Sequence, residues 1–165
     1  MGLVRFFRVA IPVLLAALAA CGGSGEGRPV DVTAREYAFG GLPATLEAGE
    51  VSFSVDNQGS EVHELHLFKL DEQVNALSEL MDMSQDEAQD QMSSVGMATA
   101  NPGDSESFDA ELSTGRYAVV CLIPVGTFPE DGHSGHDMQD MEDMVFDPNA
   151  DTHMRRGMSA EFTVG

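Results

Sequence analysis

Short stretches in which apolar and polar residues alternate make up most of the chain and predict β-strands. The alternation is clearest over residues 51–55 and over His63–Leu70. A strand with this pattern buries one face and turns the other toward solvent. The same reasoning predicts strands over residues 30–39, Ser105–Leu112, residues 116–123 and Ser159–Val164.

One segment, residues 71–94, departs from the two-residue alternation. Its apolar residues recur at helical spacing from Val74 to Met81, and Ser84 with Glu87 fits the capping box that begins a helix. We therefore predict a helical insertion in an otherwise all-β chain. Strands separated by turn signals predict an antiparallel Greek-key β-sandwich, whose end loops are free to carry function.

The N-terminal segment is predicted to be an export signal. Arg5 and Arg8 precede an apolar run that is too short to span a membrane comfortably. The sequence Leu-Ala-Ala-Cys ending at Cys21 resembles a bacterial lipobox, which implies cleavage before Cys21 and attachment of lipid to its sulfur. An ordinary signal peptide that leaves Cys21 free is the alternative. The predicted divisions are a signal peptide over residues 1–20, a flexible tether over residues 21–29 and one domain over residues 30–165.

The chain is strongly acidic, with 8 basic and 28 acidic residues and a net charge of −20. Removing Arg5 and Arg8 with the signal would leave a charge of about −22. Such a protein repels phosphates, so we expect no nucleic-acid partner. The charge suits metal cations or a basic docking partner. Lys69 is the one lysine, so adaptation to high salt is an alternative explanation.

Cys121 points to metal chemistry. The only other cysteine is Cys21, so an exported, lipidated chain has an unpaired thiol that requires an explanation. His63, His153 and Met158 also lie near the ends of predicted strands. Two imidazoles, a thiolate and a weak thioether are the donors that hold copper for one-electron transfer. We therefore predict one copper site formed by these four side chains.

Spacing alone leaves part of the ligand choice open. His66 competes with His63 on the same strand, but it lies on the face opposite Leu65 and Leu67, which favours a surface role. The His-x4-Met spacing before the last strand also occurs twice in the preceding loop. The three pairs with this spacing are His153 with Met158, His133 with Met138, and His136 with Met141. We favour the first pair because it leads directly into the closing strand.

The long acidic loop over residues 124–156 contains candidates for a second metal site. Thioethers are soft ligands that prefer Cu(I), and methionines recur there at every third position. A solvated acidic spacer with incidental methionines is the alternative. The candidate secondary ligands are His133, His136, Met138, Met141 and Met144.

Three segments resemble the cupredoxins, the plastocyanin- and azurin-like proteins. Residues 57–64 resemble their first copper-histidine motif, and residues 115–121 resemble their Gly-x-Tyr-x-x-x-Cys strand. Residues 153–158 resemble the His-x-x-x-Gly-Met segment that precedes the last strand. The resemblance covers nearly all of the predicted domain. It implies a cupredoxin-like sandwich with a single copper centre.

The resemblance also implies a role for each candidate ligand. His63 and His153 would supply the nitrogens, Cys121 the thiolate and Met158 the weak axial thioether. Glu64 lies where a neighbouring side chain would brace the ligand loop. In electron-carrying cupredoxins the cysteine, the second histidine and the methionine share one short loop. Here about thirty residues separate the cysteine from the second histidine. A working site requires this insertion to fold outward with its ends close together, and a ligand-like relic without copper is the alternative.

We therefore expect a copper-binding extracytoplasmic lipoprotein that carries single electrons through a type 1-like site. Its expected partners are a periplasmic or cell-surface membrane, through the lipid anchor, and a redox or copper-handling protein. We expect no enzymatic activity, because Cys121 lies in a β-rich run rather than at an activating helix N-terminus. The alternatives are copper buffering or delivery through the methionine-rich loop, and a copper-free interaction module.

Overall fold

Two β-sheets pack face to face in the computed structural model, which describes residues 27–129 and 151–165. The first sheet has the order β2-β1-β4-β7 and the second has the order β3-β9-β8-β5-β6. The strands are β1 (Arg28–Arg35), β2 (Ala38–Gly40), β3 (Thr45–Leu46), β4 (Gly49–Asn57), β5 (His63–Leu70), β6 (Met92–Ala100), β7 (Ser105–Leu112), β8 (Gly115–Val120) and β9 (Ser159–Val164). The all-β sandwich predicted from the sequence is confirmed.

The main hydrophobic core lies between the two sheets. Alternate residues of β4 and β5 point into it, as their sequence pattern predicts. Phe53 lies at its centre and packs against Phe108 and Phe162, with ring centroids 5.4 and 6.3 Å away. The core is continuous with buried Cys121 and Met158 at one end of the sandwich. The side chains at that end of the sandwich are therefore closely packed and shielded from solvent.

A second apolar cluster covers the outer face of the second sheet. Two short helices, α1 (Leu77–Leu80) and α2 (Gln85–Asp90), lie over Phe68, Ala118 and Val120. This cover explains why β8 is apolar on both faces, since one face meets the main core and the other meets the helices. The capping box predicted for Ser84 and Glu87 is present at the start of α2.

Two predicted boundaries are wrong. The single strand expected over residues 30–39 is the hairpin β1–β2, which turns at Glu36 and Tyr37. No glycine, proline or asparagine marks this turn, so its sequence reads as continuous strand. The helical insertion, expected over residues 71–94, ends with α2 at Asp90. The strand β6 that follows it is not predicted from the sequence. This edge strand is rich in small residues, and Gly96 is required there because a Cβ would lie 2.5 Å from the ring of Phe108.

Two strand pairs depart from the predicted antiparallel pairing. β1 pairs with β4 in parallel, and β3 pairs with β9 in parallel. Between β1 and β4 the chain crosses to the edge of the other sheet as β3 and then returns in its original direction. This crossover makes the β1–β4 pair parallel. The remaining strand pairs are antiparallel.

β1 begins at Arg28, within the segment predicted to be a tether. The predicted signal peptide, Cys21 and residues 22–26 of the predicted tether lie outside the described residues. Across the parts of the chain that the structure describes, no helix has the length and apolar character needed to cross a membrane.

Tyr117 ties the turn before β8 to the core. Its hydroxyl donates to the carbonyl of Ser113 (2.8 Å) and accepts from the N–H of the same residue (3.1 Å). Its ring stacks on Phe162. We expect Tyr117→Phe to lower the free energy of unfolding by about 1–3 kcal/mol, because two backbone groups lose their partner. Urea denaturation measures the change.

Ser113→Ala is the matched control for that substitution. It keeps both backbone groups and removes only a hydroxyl that accepts from the exposed amine of Lys69. It should change the unfolding free energy by about 0.5 kcal/mol or less. Equal stability of Tyr117→Phe and the wild-type protein would show that the hydroxyl does not secure this turn.

Candidate metal centre

The two ends of the long insertion are joined by hydrogen bonds. Residues 121–125 run antiparallel to residues 151–154, and the N–H of His153 donates to the carbonyl of Ile123 at 2.9 Å. This pairing closes the insertion at its base. Cys121 and His153 therefore lie side by side although 32 positions separate them in sequence.

A 3₁₀ turn, Met154–Arg156, connects His153 to Met158. The carbonyl of His153 accepts from the N–H of Met158 at 3.0 Å, and Gly157 adopts the left-handed φ of 106° that ends the turn. The carbonyl of Met158 accepts from the N–H of Cys121 at 3.2 Å, and the methionine side chain is fully buried. The His-x4-Met spacing thus brings both residues to the cysteine.

A buried asparagine positions the other histidine. The side-chain amide of Asn57 donates to the carbonyls of Glu61 and Ala100, each at 2.8 Å, and its oxygen accepts from the N–H of Gly59 at 2.9 Å. These bonds hold the loop that connects β4 to β5 and join it to the end of β6. His63 is the first residue of β5, so its ring is fixed at this end of the sandwich.

Three potential donor atoms converge in the buried space between these elements. Nδ1 of His63 lies 3.0 Å from Nδ1 of His153, and Sγ of Cys121 lies 3.3 Å from the latter atom. The three donor atoms all lie within 4.8 Å of one another, and all three side chains have no exposed surface. In the described residues Cys121 forms no disulfide.

The outer nitrogen of each imidazole faces a carboxylate. Nε2 of His153 lies 3.0 Å from Oε2 of Glu61, at hydrogen-bond distance. Nε2 of His63 lies 3.4 Å from Oε1 of Glu36, which is within ion-pair range but lacks hydrogen-bond alignment. A carboxylate attracts the N–H rather than the lone pair of an imidazole, so each contact favours the tautomer that is protonated at Nε2 and carries its lone pair on Nδ1. Both lone pairs then belong to the nitrogens of the donor cluster.

This donor set fits a copper ion. Two imine nitrogens and a sulfur that converge at these distances repel one another as lone pairs and attract a cation. Histidine nitrogens with one cysteine thiolate suit both Cu(I) and Cu(II), and thiolate with thioether excludes hard cations such as magnesium and calcium. Imidazoles whose other nitrogen faces a carboxylate are typical of metal-binding histidines. The residues present therefore fit the metal that the sequence predicts.

Burial sets the protonation of the two innermost groups. Burial, together with the negative charge of Glu64, raises the pKa of the Cys121 thiol far above its ordinary value. Burial and the proximity of His153 lower the pKa of His63 below its ordinary value, outweighing the opposing pull of Glu36. At neutral pH the thiol is protonated and His63 is neutral. A metal ion must displace the thiol proton in order to bind.

The two carboxylates are held in their ionised form. Burial alone would raise the pKa of Glu36, but backbone N–H groups of Glu61 and Ser60 donate to it and lower its pKa to about 2. Burial likewise opposes ionisation of Glu61, yet the N–H of Gly126 and the ring of His153 lower its pKa. Both groups are negatively charged near neutral pH.

The prediction that Glu64 braces the ligand loop is wrong for its side chain. Its carboxylate is fully buried on the opposite face of β5, where it lies 3.5 Å from Nδ1 of His66 and makes no hydrogen bond to any residue in the described ranges. Its backbone N–H instead donates to Sγ of Cys121 at 3.3 Å. His66 lies outside the donor cluster and contacts Ser94, in keeping with the surface role favoured by the sequence.

Sequence reasoning did not identify Glu36, Glu61 or Asn57 as parts of the site. Glu61 precedes His63 by two positions, so its proximity in sequence could have suggested it. Glu36 lies on the β1–β2 turn, and no local signal links it to the histidines. The secondary ligand candidates His133, His136, Met138, Met141 and Met144 lie outside the described residues.

Comparison with solved structures identifies the fold. An auracyanin from the photosynthetic bacterium Roseiflexus castenholzii superposes with a TM-score of 0.53 at 16% identity, over 86% of this chain and 99% of that one. Auracyanin B gives a TM-score of 0.50 at 19% identity, over 86% and 91% of the two chains. Auracyanins are blue copper proteins of the cupredoxin class. This chain has the cupredoxin fold. No protein-family model and no curated protein sequence matches it.

The cupredoxin fold explains why the sequence motifs lie at one end of the molecule. His63 begins β5, Cys121 follows β8 and Met158 precedes β9, and these three strands are neighbours in one sheet. The insertion between β8 and β9 leaves this arrangement intact because its base is hydrogen-bonded. The potential ligands thus keep the order that the sequence resemblance implies, despite the longer loop.

We expect the Cys121 thiol to be unreactive in the folded, metal-free protein. It has no exposed surface and its raised pKa keeps the nucleophilic thiolate scarce. Iodoacetamide should label it slowly in buffer and rapidly in denaturant, as followed by mass spectrometry after blocking any free Cys21. Equally fast labelling in both conditions would show that the thiol is accessible, contrary to this geometry.

Proposed function

We propose that this protein is a copper-binding, single-electron carrier of the cupredoxin type, anchored by lipid outside the cytoplasmic membrane. The observation that carries the proposal is the convergence of His63 Nδ1, His153 Nδ1 and Cys121 Sγ in one buried cluster. Met158 is buried beside them and would supply the weak axial thioether. Its partners would be the membrane and a redox protein.

The chain's own contribution is a fixed set of donors. Copper, when bound, supplies the one-electron chemistry by changing between its +1 and +2 states. His63 and Cys121 are held by strands, and His153 is held by the paired base of the insertion. Because these supports are rigid, the donors keep one geometry in both oxidation states. Little rearrangement is then needed for each transfer, which favours electron carriage over tight storage of one state.

Burial of the donors supports a carrier rather than an enzyme. Neither histidine nor Cys121 has exposed surface, so water and small substrates are kept away from the metal position. A catalytic metal site keeps an open position for substrate. A closed site instead restricts the metal to exchange of electrons through the surrounding protein.

Copper loading tests this function directly. We expect the Cu(II)-loaded protein to show an intense visible absorption band, because a copper–thiolate bond allows charge transfer from sulfur to metal. Cys121→Ser should remove the band entirely. Met158→Leu should retain the band and copper binding while changing the reduction potential, because the axial ligand is weak. Visible spectroscopy and redox titration measure these effects.

His66→Ala is the matched control for the ligand substitutions, since His66 lies on the same strand as His63 but outside the cluster. It should leave the visible band unchanged, whereas His63→Ala should abolish it. Uptake of copper by the wild-type protein without a thiolate band would rule out the proposed carrier and favour copper buffering, whereas no uptake of copper would favour the copper-free interaction module.

The lipid anchor has a separate test. The lipobox-like sequence ending at Cys21 supports acylation of that cysteine. In a lipoprotein-processing bacterial host, we expect incorporation of labelled fatty acid and partition of the protein into the detergent phase. Cys21→Ser should abolish both, whereas Cys121→Ser should affect neither. An unmodified Cys21 in the mature, membrane-free protein would contradict the anchor.

A further inference from the structure

Both candidate histidine ligands are backed by a carboxylate, and no part of the function described above uses these two groups. Glu61 lies behind His153 and Glu36 lies behind His63, with oxygen-to-Nε2 distances of 3.0 and 3.4 Å. We propose that Glu61 and Glu36 are positioning residues whose negative charges favour Cu(II) over Cu(I), with Glu61 the stronger of the two. This inference rests on the proposed copper-carrying function.

Most of the Glu61 side chain is buried in the protein interior. Its side chain is 11% exposed, and its carboxylate accepts from the N–H of Gly126 and from the hydroxyl of Tyr37 (3.4 Å) as well as from His153. The Tyr37 ring also packs against the His153 ring, with centroids 5.1 Å apart. Glu61 is therefore fixed from three sides, so its charge acts on one ring in a setting where water screens little.

Glu36 is positioned by the loop that also carries His63. Its carboxylate accepts from the N–H of Glu61 (2.9 Å) and from both the N–H and the hydroxyl of Ser60. Its side chain is 27% exposed, and its contact with Nε2 of His63 is longer than the one made by Glu61. Solvent screens this charge more strongly, so its effect on the metal should be smaller.

The expected effect on the copper reduction potential follows from the negative charge of each carboxylate. A carboxylate that accepts from the outer nitrogen increases the electron density that the imidazole offers to a metal. The more highly charged Cu(II) gains more from this than Cu(I) does, so the reduction potential falls. Removing either carboxylate should raise the potential. Removing the hydrogen-bond acceptor should in addition loosen the ring and weaken copper binding.

Gly59 provides an independent observation that the Glu36 contact is tight. A Cβ at this position would lie 2.5 Å from Oε1 of Glu36 and 2.7 Å from Nε2 of His63. The glycine thus allows the carboxylate and the ring to approach each other. Gly59→Ala would push the carboxylate and the ring apart without changing any charge, whereas Gly40→Ala, whose Cβ has no neighbour closer than 4.0 Å, is its matched control.

The experiment compares reduction potentials and Cu(II) affinities of the copper-loaded full-length variants. Glu61→Gln keeps an acceptor but removes the charge. We expect it to shift the Cu(II)-to-Cu(I) affinity ratio by roughly tenfold toward Cu(I), which raises the potential by about 59 mV. Glu61→Ala, which also removes the acceptor, should weaken Cu(II) binding by about 10–100-fold. Glu36→Gln and Gly59→Ala should raise the potential less than Glu61→Gln does.

Glu111→Gln is the control for loss of one negative charge. Glu111 is exposed on β7 and lies beside Glu50 in the strand register, at the end of β4 far from the metal site. The potential of this variant should match that of the wild-type protein. If the wild-type protein shows the thiolate band but Glu61→Gln has the same potential as Glu111→Gln, the inference is wrong while the copper function stands. If the wild-type protein lacks the band, the copper function itself fails. Circular dichroism identifies any variant that is unfolded, and Glu61→Asp then serves as the conservative replacement, with a smaller shift expected.

Discussion

The pairing of the two ends of the insertion is the constraint on which the candidate site depends. Residues 121–125 and 151–154 are joined by antiparallel hydrogen bonds, so Cys121 and His153 behave as neighbours on one short loop. Loop-closure entropy increases only slowly with length, so a long insertion adds little to the free-energy cost once its base is paired. The loop can therefore lengthen while the arrangement of donors stays the same.

From this pairing the other features of the site follow. The 3₁₀ turn after His153 returns the chain to Met158, whose carbonyl accepts from the N–H of Cys121. Asn57 holds the opposite loop and places His63 across from them. Each donor is thus fixed by backbone contacts made before any metal binds. Such a site selects a metal through its donor types and geometry rather than by folding around it.

Most of the fold could be predicted from the sequence, and so could the candidate metal ligands themselves. β5, β7 and β9 have the predicted bounds because their alternation is regular and their turns carry strong signals. β6 was missed because small residues and Gly96 give it little apolar alternation, and its place is set by contact with Phe108 across the sandwich. Glu36 was missed for a related reason, since its contact with His63 is made in three dimensions by a hairpin turn.

The central claim is that the histidine and cysteine donors bind one copper ion together. Copper K-edge X-ray absorption of the loaded full-length protein tests this claim most directly, because it counts the atoms bonded to the metal. We expect one short sulfur scatterer and two imidazole nitrogens, with the sulfur lost in Cys121→Ser. A wild-type spectrum with nitrogen and oxygen scatterers and no sulfur would contradict it.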